Sequence, residues 1–361
     1  MIQFTSPHWR WTVPTAGPVL IGLLAAALIG SASAAPVLAP RTPGQLLADV
    51  SASDHTELTG TVVETASLGL PSLPSSIGNS SAGDGSSLYS VLAGSHTVRV
   101  WFAGPEHFRL AVPGMFSESD LIRDGNTAWE WQSALDTATR YTLAGAKAAT
   151  PSPLYSPVKG LLTPQQAAQE AIAAVGPSTA VRTDSNVSVA GQSAYELVLA
   201  PKDHRSLIGQ VRIAVDAANG VPLRVEVFAR GARSPAIQVG YTQIQFTAPA
   251  ASELTFNPPP GATVRQGGSP QAPNTPVGDQ GFATIGSGWM TVVRVPASVL
   301  TSAGGAGGIA DGLFGSAARV SGPWGSGQLI RTSLVNVLMT GNTIYAGAVD
   351  PSVLYAAAAH G

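Results

Sequence analysis

The residues able to do covalent or metal chemistry are few in this chain, and they lie apart. Cysteine is absent from all 361 residues, which removes disulfides, thiol nucleophiles, iron–sulfur clusters and thiolate zinc sites together. It also excludes a lipid-modified N-terminal cysteine. The six histidines (His8, His55, His96, His107, His204 and His360) are scattered, and none stands at the spacing that puts two imidazoles on one metal. A hydrolase nucleophile needs a Gly-x-Ser-x-Gly elbow, whereas Gly325-Ser326-Gly327 sits in a Pro/Gly turn. The glycines from Gly304 to Gly308 lack the lysine of a phosphate loop and read as a linker. Lys202-Asp203-His204-Arg205 reads as a solvated turn. The chain is therefore read as non-enzymatic, with no catalytic residues, no metal and no cofactor expected.

What the chain does have is apolar surface to place. Hydrophobic residues make up 44% and charged residues 11%, with a formal net charge of −2. That balance supplies material for a core and no basic patch for nucleic acid. Between Ser95 and Leu143 the apolar residues alternate. Val98, Val100 and Phe102 share one face of a strand, Phe108, Leu110 and Val112 share a face of the next, and Trp129 and Trp131 share another. Gly104-Pro105, Pro113-Gly114, Asp124-Gly125-Asn126 and Asp136 mark the turns of this antiparallel meander. One face of it must be buried. The two tryptophans fit either an ordinary core, with Phe102, Phe108 and Tyr141, or the wall of a cavity. There each large side chain would give a ligand about 1.5–3 kcal/mol of burial.

The elements around the meander follow from local signals. Thr42-Pro43 and Thr163-Pro164 each place a capping residue before a proline at the first helical position. They open two alanine-containing helices, Thr42 to Ser53 and Gln165 to Val175. Leu58 to Leu68 is a β-branched strand, and Tyr195, Leu197 and Leu199 share a face of another. Val211, Ile213 and Val215 pair with Leu223, Val225 and Val227 across the Asn219-Gly220 turn. The alternation slips by one residue near Gly240 to Gln243, which predicts a β-bulge. Beyond a Pro/Gly-rich stretch, strands are expected at Met290 to Val295, Gln328 to Met339 and Thr343 to Val349, with Asp350-Pro351 opening a last helix. At the N-terminus, His8 and Arg10, the apolar run Val19 to Ile29 and the small residues Ala32-Ser33-Ala34 have the form of an export signal. No charge follows until Arg41, so the segment serves either as a cleaved signal or as a membrane anchor.

The run DGNTAWEWQSALDTATRYTL resembles the LolA-like family of periplasmic lipoprotein carriers and lipid-binding proteins. Its matching features are Asp124-Gly125 at a turn, Trp129 and Trp131 two apart, and Thr139-Arg140-Tyr141 after a polar turn. The stretch FNPPPGATV is similar to the late F-x-P-P-x-G segment of that family, and the similarity spans roughly Thr42 to Val264. A further, smaller domain after such a unit resembles the arrangement of RseB-like envelope signalling proteins. The low lysine and high Ala/Gly/Pro usage resembles actinobacterial exported proteins, for which the standard outer-membrane lipoprotein route is not expected.

The resemblance implies an α+β fold, a curved antiparallel sheet or incomplete β-barrel covered by helices, plus a small C-terminal α/β module. It divides the chain into residues 1–34 as signal or anchor, 42–256 as the half-barrel, 257–280 as a linker and 281–361 as the small module. It implies an apolar cavity for acyl chains between sheet and helices. The candidate lining is Leu46, Leu47 and Val50 of the first helix with Val98, Val100, Phe102, Phe108, Leu110, Trp129, Trp131, Tyr141, Leu143, Tyr195, Leu197 and Leu199 of the strands. The expected function is an exported carrier or binding protein for lipid or lipoprotein acyl chains. The alternative is an envelope signalling module whose partner is a membrane-protein ectodomain.

Overall fold

The computed structural model describes residues 38–69, 93–143, 162–184, 186–267, 282–298 and 317–360. The export segment, the loop after the first strand, the stretch from 144 to 161 and most of the Pro/Gly-rich linker lie outside the described residues.

Helix α1, Pro43–Ala52, and helix α2, Pro164–Ala173, begin in the same way. Thr42 Oγ1 accepts from Gln45 N while the Gln45 side chain accepts from Thr42 N, and Thr163 and Gln166 repeat the arrangement. Each box satisfies two orphan amides of a helix too short to be stable alone. Both helices therefore depend on what they pack against.

That support is a 13-stranded sheet. Its strands are β1 (Leu58–Ser67), β2 (Ala93–Phe102), β3 (His107–Pro113), β4 (Glu118–Asp124), β5 (Thr127–Gln132), β6 (Thr137–Thr142), β7 (Thr179–Thr183), β8 (Val187–Val189), β9 (Gln192–Pro201), β10 (Ile208–Asp216), β11 (Pro222–Ala229), β12 (Ile237–Gln245) and β13 (Thr263–Gln266). The order is β13-β6-β5-β4-β3-β2-β1-β12-β11-β10-β9-β7, with β8 paired to β9. The two edge strands do not pair with each other, so the curved sheet stays open. The bulge falls in β12, where Thr61 faces Gln243 and Val62 faces Tyr241, leaving Thr242 as the extra residue. At the Asn219-Gly220 turn Gly220 has φ +71, and a Cβ there would meet the Asp49 carbonyl at 2.6 Å. Helix α1 thus sits directly against the hairpin.

Leu46 and Val50 of α1 and Ala168 of α2 are buried against Tyr195, Leu197, Leu199, Val211, Ile213, Val215 and Val225 on one face of β9, β10 and β11. The chain between β12 and β13 crosses the other face. It carries a single helical turn, α3 (Ala251–Leu254), which lies against β3 and β4, and it ends with β13 parallel to β6. Part of the expected linker therefore lies on the sheet as an edge strand.

A second, antiparallel sheet has the order β14-β15-β19-β18-β17-β16. Its strands are β14 (Ala283–Ile285), β15 (Val292–Pro296), β16 (Ala318–Gly322), β17 (Gly325–Arg331), β18 (Asn336–Thr340) and β19 (Thr343–Gly347), and helix α4 (Pro351–His360) buries Leu354 and Ala357 against it. The stretch read as one strand from Gln328 to Met339 is two, divided at Thr332 to Val335. Thr332 holds that turn through its own hydroxyl, and the turn seats Leu334 beside Leu68 and Ala236 of the large sheet. Leu207 N to Ala348 O at 2.8 Å, Ser333 N to Leu68 O at 2.9 Å and Trp289 Nε1 to Thr179 Oγ1 at 2.7 Å join the sheets further.

Candidate functional site

Residues directly opposite one another in an antiparallel pair project to the same face of the sheet. The register therefore assigns every side chain of the meander to a side. Leu58, Phe102, Phe108, Arg123, Ala128 and Tyr141 form one row across β1 to β6, and Val100, Leu110, Leu121, Glu130 and Thr139 form the next on the same side. That side continues through Val62 and Tyr241, and through Glu64, Val239, Val225, Ile213 and Leu197, to the face under α1 and α2. Trp101, Arg109, Ile122, Trp129 and Arg140 form a row on the opposite, outer face.

On the helix side the two helices cover β9 to β11 tightly but meet β1 to β3 only at their ends. A cavity of about 280 Å³ remains there. Its floor is Leu58, Val100, Phe102, Phe108 and Leu110, with Pro105 beside them and Tyr241 behind. Its roof is polar throughout. Ser53, Asp54, His55 and Thr56 come from the turn that ends α1, and Thr163, Gln165, Gln166 and Gln169 come from the start of α2. Gln169 Nε2 donates to Asp54 Oδ1 at 3.1 Å and so links the two covers.

Tyr241 closes the inner end. Its ring lies against Gly60, where a Cβ would come within 2.8 Å of ring carbons and 2.7 Å of the Gln243 carbonyl, so only glycine admits this approach. The hydroxyl and the Gln165 amide are mutually in hydrogen-bond range, Nε2 to Oη 3.0 Å and Oη to Oε1 3.2 Å. Burial pushes the Tyr241 phenol well above its ordinary value, so it remains a neutral donor. Further along the same face, Glu64 is only 6% exposed and accepts from Leu162 N, just ahead of the α2 cap, at 3.4 Å. Burial raises its pKa to about 7, against the smaller lowering effects of that amide and of His96.

Of the candidate lining residues, Val100, Phe102, Phe108 and Leu110 meet at the cavity. Val98 is buried beside them in the packed cluster. Leu46, Val50, Tyr195, Leu197 and Leu199, with half-buried Leu47, are instead packed directly together beneath the helices. Tyr141 shares the cavity face but turns its hydroxyl to Glu130 Oε2 at 3.1 Å, and Leu143 lies just past the end of β6. Neither of these two lines the cavity described.

Trp129 and Trp131 do not share the face of Phe102 and Phe108, which corrects the expectation that all four wall one space. The strands are in register, and an odd offset sends the tryptophans outward. Phe256, following α3, packs on both at centroid distances of 5.4 and 5.9 Å. Arg140 lies over Trp129 at 5.8 Å and Arg109 over Trp101 at 5.3 Å. The tryptophans hold the crossing segment on the sheet, in the manner of an ordinary core. The polar roof escaped the sequence reading because glutamines at 165, 166 and 169 look like the solvent side of an amphipathic helix.

Among the described residues no group of three or more His, Cys, Asp or Glu is placed to hold a metal, and no helix is long and apolar enough to cross a membrane. The arrangement is an open antiparallel sheet with an apolar floor and two short capped helices at its mouth.

No protein-family model and no curated protein matches the chain. Among solved structures it is similar to the Pseudomonas aeruginosa MucA/MucB complex, with TM-score 0.44 and 15% identity over 88% of this chain and 96% of that one. It is also similar to a LolA superfamily protein from Nitrosomonas europaea, with TM-score 0.24 and 11% identity over 60% of this chain and 99% of that one. A third is a putative outer membrane lipoprotein-sorting protein domain from Vibrio parahaemolyticus, with TM-score 0.22 and 10% identity over 56% and 91%. All three likenesses are at low identity, and what the cavity does must be read from its own side chains.

Proposed function

We propose that this chain is an exported, non-catalytic binding protein that takes the acyl chain of a lipid or lipoprotein into the cavity between β1 to β3, β12 and the ends of α1 and α2. The observation that carries this reading is the segregation of the lining, with an apolar floor from the sheet and a polar roof from the covers. An amphiphile is the ligand with that same division. The volume of about 280 Å³ lies just below the roughly 300–1,000 Å³ of small-molecule sites, which leaves room for one chain at most. The mechanism is physical: the chain leaves water for Phe102, Phe108 and Leu110, and movement of the covers admits and releases it. Residues 1–34 deliver or anchor the protein outside the cytoplasm, and the small sheet from β14 onward with α4 is a module packed on the large one.

The test is saturable binding of a pyrene-labelled acyl lipid by the purified protein. Uptake is expected at one site per chain, and Leu110→Trp, which fills the floor, is expected to abolish it while the protein stays folded. Absence of saturable uptake of both neutral and anionic probes would overturn the reading.

A second reading, an envelope signalling module that binds a membrane-protein ectodomain, is favoured by a different observation. Met115 and Phe116 at the β3–β4 turn are 88% and 96% exposed, and Leu135 in the adjoining turn is 64% exposed. Glu118 N donates to Ser133 Oγ at 2.7 Å and holds these two turns side by side. Capture of a membrane-protein ectodomain that survives Leu110→Trp but not Phe116→Ser would favour it.

A further inference from the structure

We infer that the cavity selects acyl amphiphiles whose headgroup is uncharged and carries hydroxyl donors, over fatty acids and phospholipids of the same chain length. This rests on the acyl-binding reading above and specifies its ligand.

Recognition of carboxylate or phosphate headgroups draws on arginine, lysine or free helix N-terminal amides. None of the described lining residues is a lysine or an arginine, and the basic side chain among them is the His55 imidazole beside Asp54. The start of α2 is at the roof, and three amides there are taken up internally. Gln166 N donates to Thr163 Oγ1 at 3.3 Å, Thr163 N donates to Gln166 Oε1 at 3.0 Å, and Leu162 N donates to the Glu64 carboxyl. Among the described lining residues an anion therefore meets no arginine or lysine, and the capping box already engages the Thr163 and Gln166 amides.

What faces the cavity in their place is acceptor-rich. Asp54 presents a carboxylate at the roof, and Gln165 and Gln169 present side-chain amides. The Asp54 carboxylate is exposed at the mouth and repels an anionic headgroup there, with no lysine or arginine among the described lining residues to offset that repulsion. A hydroxyl headgroup meets the same surface favourably, because it donates to Asp54 and both donates to and accepts from the amides. The Tyr241 hydroxyl and Gln165, paired at the inner end, give a further uncharged contact for an ester or amide next to the chain. The site discriminates by what its headgroup end lacks as much as by what it holds.

Competition experiments on the full chain test this with three oleoyl probes of equal chain length: monooleoylglycerol, oleate and oleoyl-lysophosphatidylglycerol, each below its micelle concentration. Displacement of a pyrene-labelled monoacylglycerol should be about tenfold tighter for monooleoylglycerol than for either anion. In Asp54→Lys, an exposed position, the preference should vanish, with the two anions gaining about tenfold relative to monooleoylglycerol. Oleate or the lysophospholipid binding as tightly as monooleoylglycerol to the wild type would overturn the headgroup assignment and leave acyl binding intact. So would an unchanged ratio in folded Asp54→Lys. Failure of all three probes to displace would overturn both.

Discussion

Glu64 lies beside Val62, opposite Val239 on one neighbouring strand and His96 on the other, and its carboxyl accepts from the Leu162 amide. A folded-state pKa of about 7 against an ordinary 4.5 means that the folded protein holds this proton more tightly than the unfolded chain. Below pH 4.5 Glu64 is protonated in both states and its burial is tolerated; as pH rises toward 7 the unfolded chain ionises first, and stability is lost. Stability relative to Glu64→Gln should therefore fall by about 3 kcal/mol between pH 4 and pH 8. Denaturant unfolding of the two proteins across that range measures it, and a pH-independent difference would contradict it. Neither Glu64 nor Tyr241 could be singled out from its neighbours in the sequence. Glutamate within a β-branched strand reads as a solvent-facing residue, and the approach of Tyr241 to Gly60 depends on the bulge at Thr242 several strands removed in the chain.

At the scale of elements, the tryptophans and the crossing segment act together. Trp129 and Trp131 present adjacent rings on the outer face, Phe256 lies across both, and Leu254 is buried nearby, so the segment between β12 and β13 is fastened at its middle. Trp131→Ala should cost about 3–5 kcal/mol of stability, because a large buried ring is removed without replacement. Acyl-probe affinity of the folded fraction should be unchanged, since the ring lies on the far side of the sheet from the cavity. Thermal unfolding and probe titration on the same sample separate the two effects, and a loss of affinity with little change in stability would contradict this placement. The strands themselves were legible. Turn residues and alternation gave β2 to β6 within about two residues, the Thr-Pro pairs gave both helices, and Asn219-Gly220 gave the β10–β11 hairpin. The face of Trp129 and Trp131 was not legible, because alternation fixes which residues share a side within one strand. Which sides match between strands depends on register, and register is set by turn geometry and by pairing partners.

At the scale of the molecule, the open sheet provides one long apolar face, and the two helices are too short to cover all of it. Where Leu46, Val50 and Ala168 reach the sheet the face is closed into packed core, and where the helices end over β1 to β3 the cavity is left. Alanine-rich, ten-residue covers were readable from the sequence as slender, and that property places the space at their ends rather than beneath their centres. The short strands β7, β8, β13, β14 and β16 escaped notice because three to five residues carry too little alternation to read, and β13 in addition pairs with β6 far away in the chain. The joint between the sheets, through Trp289, Ser333 and Leu334, was likewise invisible to local pattern. The central claim is that the cavity over Phe102, Phe108 and Leu110 holds an acyl amphiphile. Its most direct measurement is organic extraction and mass spectrometry of wild-type and Leu110→Trp protein purified from the native host. About one equivalent of an acyl-bearing lipid from the wild type and none from the folded variant is the predicted result. A lipid-free wild type, or equal yields from the two proteins, would contradict the account.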